Sequence, residues 1–242
     1  MRMGVTFPPH CSVPGMMQHA EATLIQSQNR KLMIPAISRS VLPLLLMVAL
    51  CASPAFAEIR QVDVLITVVK DRVIALPGGG SPVEEPLGVN ETVVTTAAQG
   101  PAGFALTNRR LLGFSSSLRR WTEVQLGVEE HIEHHRVLPR LLMVQTNRRI
   151  HGFQESRGHW FSEALGPNES VKQLQGRGHV AVAITPERAL AFSAFTGGFF
   201  SMRLSANEHV QSIDQANDVT LVRTTARQLA FRSQIGVWTE MR

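Results

Sequence analysis

Along this 242-residue chain, side chains able to do acid, base or ligand chemistry recur at near-constant intervals: Asp63, Arg140, His179 and Asp218 occupy one recurring position, and Pro101 fills the remaining copy. Two carboxylates and an imidazole brought to one mouth could move protons or hold a polar ligand. Arg140 would add a planar cation suited to carboxylate or phosphate recognition. Arg119, Arg120, Arg157 and His159 fall in the neighbouring loop-like stretches Ser115–Arg120 and Gln154–His159, and are expected to form the outer rim of the same site. These eight residues are the candidate ligand-binding set. No catalytic residue is assigned, because no Ser-His-Asp or Cys-His arrangement follows from the spacing.

A second cluster is His131-Ile-Glu133-His134-His135. Alternation along a strand would turn His131, Glu133 and His135 to one face, where a metal could find imidazole and carboxylate ligands. Successive ligands on one strand face stand about 7 Å apart, a poor fit to a single tetrahedral ion. A solvated strand with pH-sensitive histidines is the expected reading, and no metal site is assigned. Pro77-Gly-Gly-Gly-Ser-Pro82 looks like a phosphate loop but lacks the following Lys-Ser/Thr and the strand-to-helix context, so a flexible hairpin loop is expected. No cofactor is expected.

The elements that must position these residues are set by a repeat. The framework T-x-x-R-x-x-x-F recurs at Thr107/Arg110/Phe114, Thr146/Arg149/Phe153, Thr185/Arg188/Phe192 and Thr224/Arg227/Phe231, with 39 residues from each Arg to the next. Seven residues beyond each Phe stands another large aromatic: Trp121, Trp160, Phe199 and Trp238. A turn follows in Leu87-Gly-Val-Asn-Glu91, Leu126-Gly-Val-Glu-Glu130, Leu165-Gly-Pro-Asn-Glu169 and Leu204-Ser-Ala-Asn-Glu208. Val69 to Leu76 is a degenerate first copy that keeps Arg72 and has Leu76 in place of Phe, which makes five units. In the clearest unit, the apolar run Val180–Ile184 turns at Pro186-Glu187 into Arg188–Phe192, then into Phe199–Leu204 and the more polar His209–Ile213. Short strands joined by closely spaced turns are an all-β pattern, and no stretch sustains a helical period.

Four-stranded units of this period resemble the blades of a β-propeller, and the resemblance covers residues 58–242. It implies an all-β, five-bladed propeller in which the first, apolar strand of each unit lines a central channel. No named propeller family is matched, since the Trp-Asp ending, the paired kelch glycines and the Asp-box are missing. On this division Arg242 falls inside the third strand of the fifth unit. Closure would then draw a fourth strand from Glu58–Asp63, or the last blade would stay open and pair with another chain as an oligomer. The repeated Arg and Glu are expected to pair at one end of the blades. A residue that every blade carries serves what every blade needs, so the repeated Phe, Trp, Arg and Glu are read as scaffold. A ligand site is sought where the repeat departs from itself.

Residues 33–57 read as a cleaved signal peptide, with basic Arg39, the apolar run Val41–Ala52 and the A-x-A site Ala55-Phe56-Ala57; residues 1–57 are therefore expected to be a non-mature extension before the domain at 58–242. Uncleaved, this segment would be the only membrane contact. Both cysteines, Cys11 and Cys51, precede the cut, so the domain is expected to hold together by its core rather than by disulfides. Four of the 24 basic and one of the 19 acidic residues also precede it, leaving 20 against 18 and no argument for a nucleic-acid partner. The expected function is an exported, periplasmic or secreted, non-catalytic binding or scaffold module for a protein, peptide or glycan. The alternative is a small periplasmic hydrolase or lyase acting on glycans through acids at the channel mouth.

Overall fold

The computed structural model describes residues 63–241, and the expected signal peptide lies outside them. The described residues form five antiparallel sheets, the blades, which follow one another along the chain. Blade 1 holds β1 (Val64–Val69), β2 (Arg72–Pro77) and β3 (Val83–Pro86). Blade 2 holds β4 (Val93–Gln99), β5 (Ala102–Thr107), β6 (Arg110–Ser115) and β7 (Arg120–Gln125). Blade 3 holds β8 (Ile132–Leu138), β9 (Leu141–Thr146), β10 (Arg149–Gln154) and β11 (His159–Ala164), with a 3-10 turn at Glu155–Arg157 before β11. Blade 4 holds β12 (Gln173–Arg177), β13 (Val180–Ile184), β14 (Arg188–Ser193) and β15 (Phe199–Arg203). Blade 5 holds β16 (Val210–Gln215), β17 (Val219–Thr224), β18 (Gln228–Arg232) and β19 (Val237–Met241). The described residues are a five-bladed β-propeller repeat.

The sheets are offset by one strand from the units expected from the sequence. The polar strand that ends each sequence unit pairs with the apolar strand of the next, as β16 does with β17 and β8 with β9. The Leu-Gly-x-x-Glu turn is therefore the link between blades. Two expectations change as a result. The last blade is complete with four strands, and among the described residues the three-stranded blade is the first. The apolar runs β5, β9 and β13 stand second in their sheets, while the strands that neighbour one another at the sheet edge are β4, β8 and β12.

Blades stack by fitting a large residue of one against a small residue of the blade before it. Phe114, Phe153, Phe192 and Phe231 are fully buried. A methyl group at Gly113 would come 2.6 Å from the Phe153 ring, and one at Gly152 would come 2.5 Å from the Phe192 ring. Ala191 and Ala75 hold the same place beneath Phe231 and Phe114. The next aromatic tilts against each Phe, with centroids 5.2 Å apart for Phe114–Trp121, 5.1 Å for Phe153–Trp160, 5.0 Å for Phe192–Phe199 and 5.2 Å for Phe231–Trp238. Each indole N–H then donates to a carbonyl of the preceding blade: Trp121 to Val83 at 3.0 Å, Trp160 to Thr122 at 3.2 Å and Trp238 to Phe200 at 2.8 Å. The expected core role of these aromatics is what the structure shows.

A buried carboxylate closes each repeat at one end. Glu169 accepts from Gly166 N–H at 2.9 Å, Thr185 Oγ1 at 2.7 Å and Arg188 Nε at 2.8 Å. Glu208 does the same with Ser205 N–H at 3.0 Å, Thr224 Oγ1 at 2.8 Å and Arg227 Nε at 2.9 Å. Glu130 takes Gly127, Thr146 and Arg149, and Glu91 takes Gly88 and Arg110. The same guanidinium reaches back to the blade before: Arg110 to Pro86 O at 2.5 Å, Arg188 to Ala164 O at 2.7 Å and Arg227 to Arg203 O at 2.8 Å. The expected Arg–Glu pairing is present in all four linked blades. Blade 3 adds His151, buried where the other blades carry Leu112, Leu190 and Leu229, with Nε2 3.3 Å from Glu130 and Nδ1 2.8 Å from Ser162 Oγ. Burial pushes His151 below the usual imidazole value, so it meets Glu130 as a neutral ring.

Burial by itself would raise the Glu130 carboxyl, but Arg149, the Gly127 N–H, Thr146 and His151 together hold it at about 2. Arg227, acting against burial, holds Glu208 at about 2 as well. A carboxylate held below its unfolded value stabilises the fold above that value and loses its contribution as pH falls through the folded one. Chemical denaturation should therefore show stability level near neutrality and falling between pH 4.5 and about 2. Glu208→Gln should flatten that fall, and an unchanged pH profile would contradict the assignment. In the stacking wedge, Phe153→Ala should cost about 3–5 kcal/mol. Leu76→Ala, at a half-buried position, should cost less than about 2 kcal/mol. Equal losses in the same denaturation experiment would contradict the wedge.

Candidate functional site

The end of each blade opposite the carboxylates is built from the turn between first and second strands and the loop between third and fourth. Between blades 4 and 5 this end holds a compact polar patch. Gly178 adopts a left-handed φ of +57°, and a methyl group there would come 2.5 Å from the Asn217 backbone, so only glycine lets the two turns touch. The contact is a hydrogen bond from His179 N–H to Asn217 O at 2.7 Å. It brings His179 Nδ1 to 2.6 Å from Asp218 Oδ1. Asp218 Oδ2 accepts from Gln234 Nε2 at 3.1 Å, and the Asp218 carbonyl accepts the Ser233 hydroxyl at 2.9 Å. Ser193 Oγ of blade 4 donates to Ser233 O at 2.6 Å, which ties the two third-to-fourth-strand loops together. The Phe195 ring lies 4.7 Å from the His179 ring and is 37% exposed.

His179 holds the Asp218 carboxyl below the usual aspartate range, with Gln234 assisting against partial burial. The ionised carboxylate accepts a hydrogen bond from Nδ1–H, and Nε2 is turned away from it. The patch thus offers an aromatic face, an oriented imidazole, a carboxylate and an amide, all partly open to solvent.

Of the eight residues expected at the site, the structure brings together His179 and Asp218. The rim arginines tie loops to one another: Arg119 donates to Ser81 O at 3.0 Å, Arg120 to Arg157 O at 3.4 Å and Arg157 to Thr196 O at 3.2 Å. Three of the expected ligand groups are thus engaged in joining neighbouring blades. His159 packs edge-on against Phe161 with centroids 4.8 Å apart. Asp63 and Arg140 take part through their carbonyls, which accept from Gly78 N–H at 2.8 Å and Glu155 N–H at 3.0 Å. Sequence reasoning missed Phe195 and Gln234, which break the repeat at loop positions. It also missed Glu155, a buried carboxylate accepting from Ser117 Oγ at 2.7 Å and Ser117 N–H at 3.1 Å.

The His131–His135 cluster is reshaped by a β-bulge between Ile132 and His134, which breaks the alternation that would have put three ligands on one face. Among the described residues no group of three or more His, Cys, Asp or Glu could hold a metal ion. His134, His135, Arg136, Gln145 and Lys172 instead line a cavity of about 250 Å³ beside β12. Burial, then Arg136 and His134, push His135 below its usual value.

No family model matches the chain, and no curated protein matches it. Among solved structures it is similar to BamB from Moraxella catarrhalis, at 15% identity and a TM-score of 0.32, over 75% of this chain and 61% of that one. It is also similar to the N-terminal domain of Nup159, at 8% identity and a TM-score of 0.33, over 74% of this chain and 57% of that one. A fragment of HIRA matches at 12% identity and a TM-score of 0.36, over 75% of this chain and 55% of that one. The chain thus spans less than two thirds of the length of these proteins.

Nitrogen-detected NMR of the neutral His179 ring should find its proton on Nδ1 rather than Nε2. Asp218→Asn should remove that preference, and an Nε2-protonated ring in the unsubstituted chain would contradict the geometry.

Proposed function

We propose that this chain is a non-catalytic binding or scaffold module, exported to the periplasm or outside the cell, that presents the His179–Asp218 end of blades 4 and 5 to a protein, peptide or glycan. The observation that carries this reading is the patch itself: a half-open Phe195 tilted against His179, with Asp218 and Gln234 beside it. An exposed aromatic flanked by oriented polar groups is the composition of a recognition surface. Hydrolysis of a glycan would need a carboxylic acid kept protonated and a second carboxylate across the bond. Asp218 is shifted the other way, toward ionisation. The export part of the reading rests on the signal-like sequence of residues 33–57.

Peptide and glycan arrays probed with the full chain, and with a His179→Ala/Phe195→Ala/Asp218→Asn variant, test the proposal. The variant should lose about tenfold or more of the binding to whichever class the unsubstituted chain selects. Undiminished binding would place the recognition surface elsewhere. Turnover of glycan substrates that disappears in Asp218→Asn would favour the hydrolase.

A further inference from the structure

The strands of the middle blades and those of the end blades differ in one systematic way. In β5, β9 and β13 every residue is buried, because a neighbouring blade covers both sheet faces. In β1 and β17 burial is interrupted, which is the signature of a sheet covered on one face. Val64, Ile66 and Val73 of blade 1 pack toward blade 2, while Leu65 is 62% exposed on the other face. The register puts Leu76 opposite Leu65 and Ile74 opposite Thr67, so both belong to that open face. In blade 5, Val222, Leu229 and Phe231 pack toward blade 4. Leu221, Ala230 and Thr239 lie in register with one another on the outward face, as do Val219, Arg232 and Val237.

These two open faces are the two halves of the joint used inside the chain. Ala230 follows Gly113, Gly152 and Ala191 in the repeat, the small residues that each receive the Phe of the next blade. Leu76 occupies the place of Phe114, Phe153, Phe192 and Phe231, the residues that are received. Arg72 repeats the guanidinium that elsewhere reaches back to the end of the preceding blade, as Arg110 does to Pro86 O. Its bonds are to Asp71 and to Glu84 of its own blade, and its side chain is 46% exposed against 12% for Arg110. One end of the array therefore presents a receiving face and the other a face shaped to be received.

We propose that blade 5 of one copy docks on blade 1 of a second copy, head to tail, continuing the blade stack across the chain boundary. The occupant is a second copy because its blade 1 carries the large residue, the Arg and the apolar strand pair that every internal joint of this chain uses. The joint is heterologous, so its geometry leads to a closed assembly or to an open string of chains. This is independent of the His179 patch, which lies at a blade end rather than on an outer blade face.

Sedimentation of the full chain over a wide concentration range tests the joint, with Leu76→Arg and Ala230→Arg as single variants. The unsubstituted chain should gain mass with concentration, and each variant alone should remain monomeric. An equal mixture of the two should form one-to-one dimers and nothing larger, since each supplies the face that the other has lost. That recovery also shows that both variants fold. A monomeric unsubstituted chain, or a mixture that fails to pair, overturns the proposal. A second experiment places Leu76→Cys and Ala230→Cys in a chain with Cys11→Ser and Cys51→Ser. Covalent multimers on oxidation are expected, whereas an internally cross-linked monomer would show that the faces meet within one chain and would overturn the proposal.

Discussion

The structure depends on a carboxylate that is almost free of solvent at the link between blades. A buried charge is tolerable only when its oxygens are filled by donors and an opposite charge stands beside it. Glu130, Glu169 and Glu208 meet this condition in the same way, with a backbone N–H three residues earlier, a threonine hydroxyl from the second strand and a guanidinium from the third. The link that carries the Glu is thereby fixed to two strands of the next blade. In three of the blades the same guanidinium also holds the last strand of the blade before. Removing one partner strands the rest, which is why the whole set recurs together rather than piecemeal.

With blade spacing set at that end, the faces between blades need only a consistent size rule. A phenylalanine over a glycine or alanine fills the gap, and at three of the four joints a neighbouring indole locks it by donating to the blade behind. The opposite end is freed from this work. Its loops are tied by longer arginines and by the Ser193–Ser233 contact, and their composition varies from blade to blade. That division explains why the His179–Asp218 patch sits where it does. The constraint is at one end and the variation at the other.

The scaffold was largely legible in the sequence, because an interaction needed in every blade must be written in every repeat. Thr185, Arg188 and Phe192 are read correctly from their recurrence, and so is the pairing of the repeated Arg with the repeated Glu. The division into sheets is not legible in the same way. A period has no natural start, and the turn at Leu165–Glu169 looks like a hairpin within a unit although it joins two sheets. Recurrence put His179 and Asp218 at one turn position, and the structure brings their side chains into contact. Arg119, Arg120 and Arg157 bond loop carbonyls of neighbouring blades, and a guanidinium that ties two loops has the same sequence appearance as one that waits for an anion. Phe195 and Gln234 share one loop position of the repeat, held by Ser117 and Ser156 in the earlier blades, so the same departure from the repeat could have found them; the bulge at Ile132–His134 depends on pairing that alternation alone does not reveal.

Amide hydrogen exchange, resolved by residue, tests the central claim most directly. The N–H groups of Gly88, Gly127, Gly166 and Ser205 belong to links between sheets and lie outside the strand ladders, yet each donates to a buried carboxylate. The account predicts that they exchange as slowly as the amides of β9 and β13, and far more slowly than Gly79 and Gly80 in the hairpin loop of blade 1. Exchange of those four amides at the rate of the open loops would contradict it.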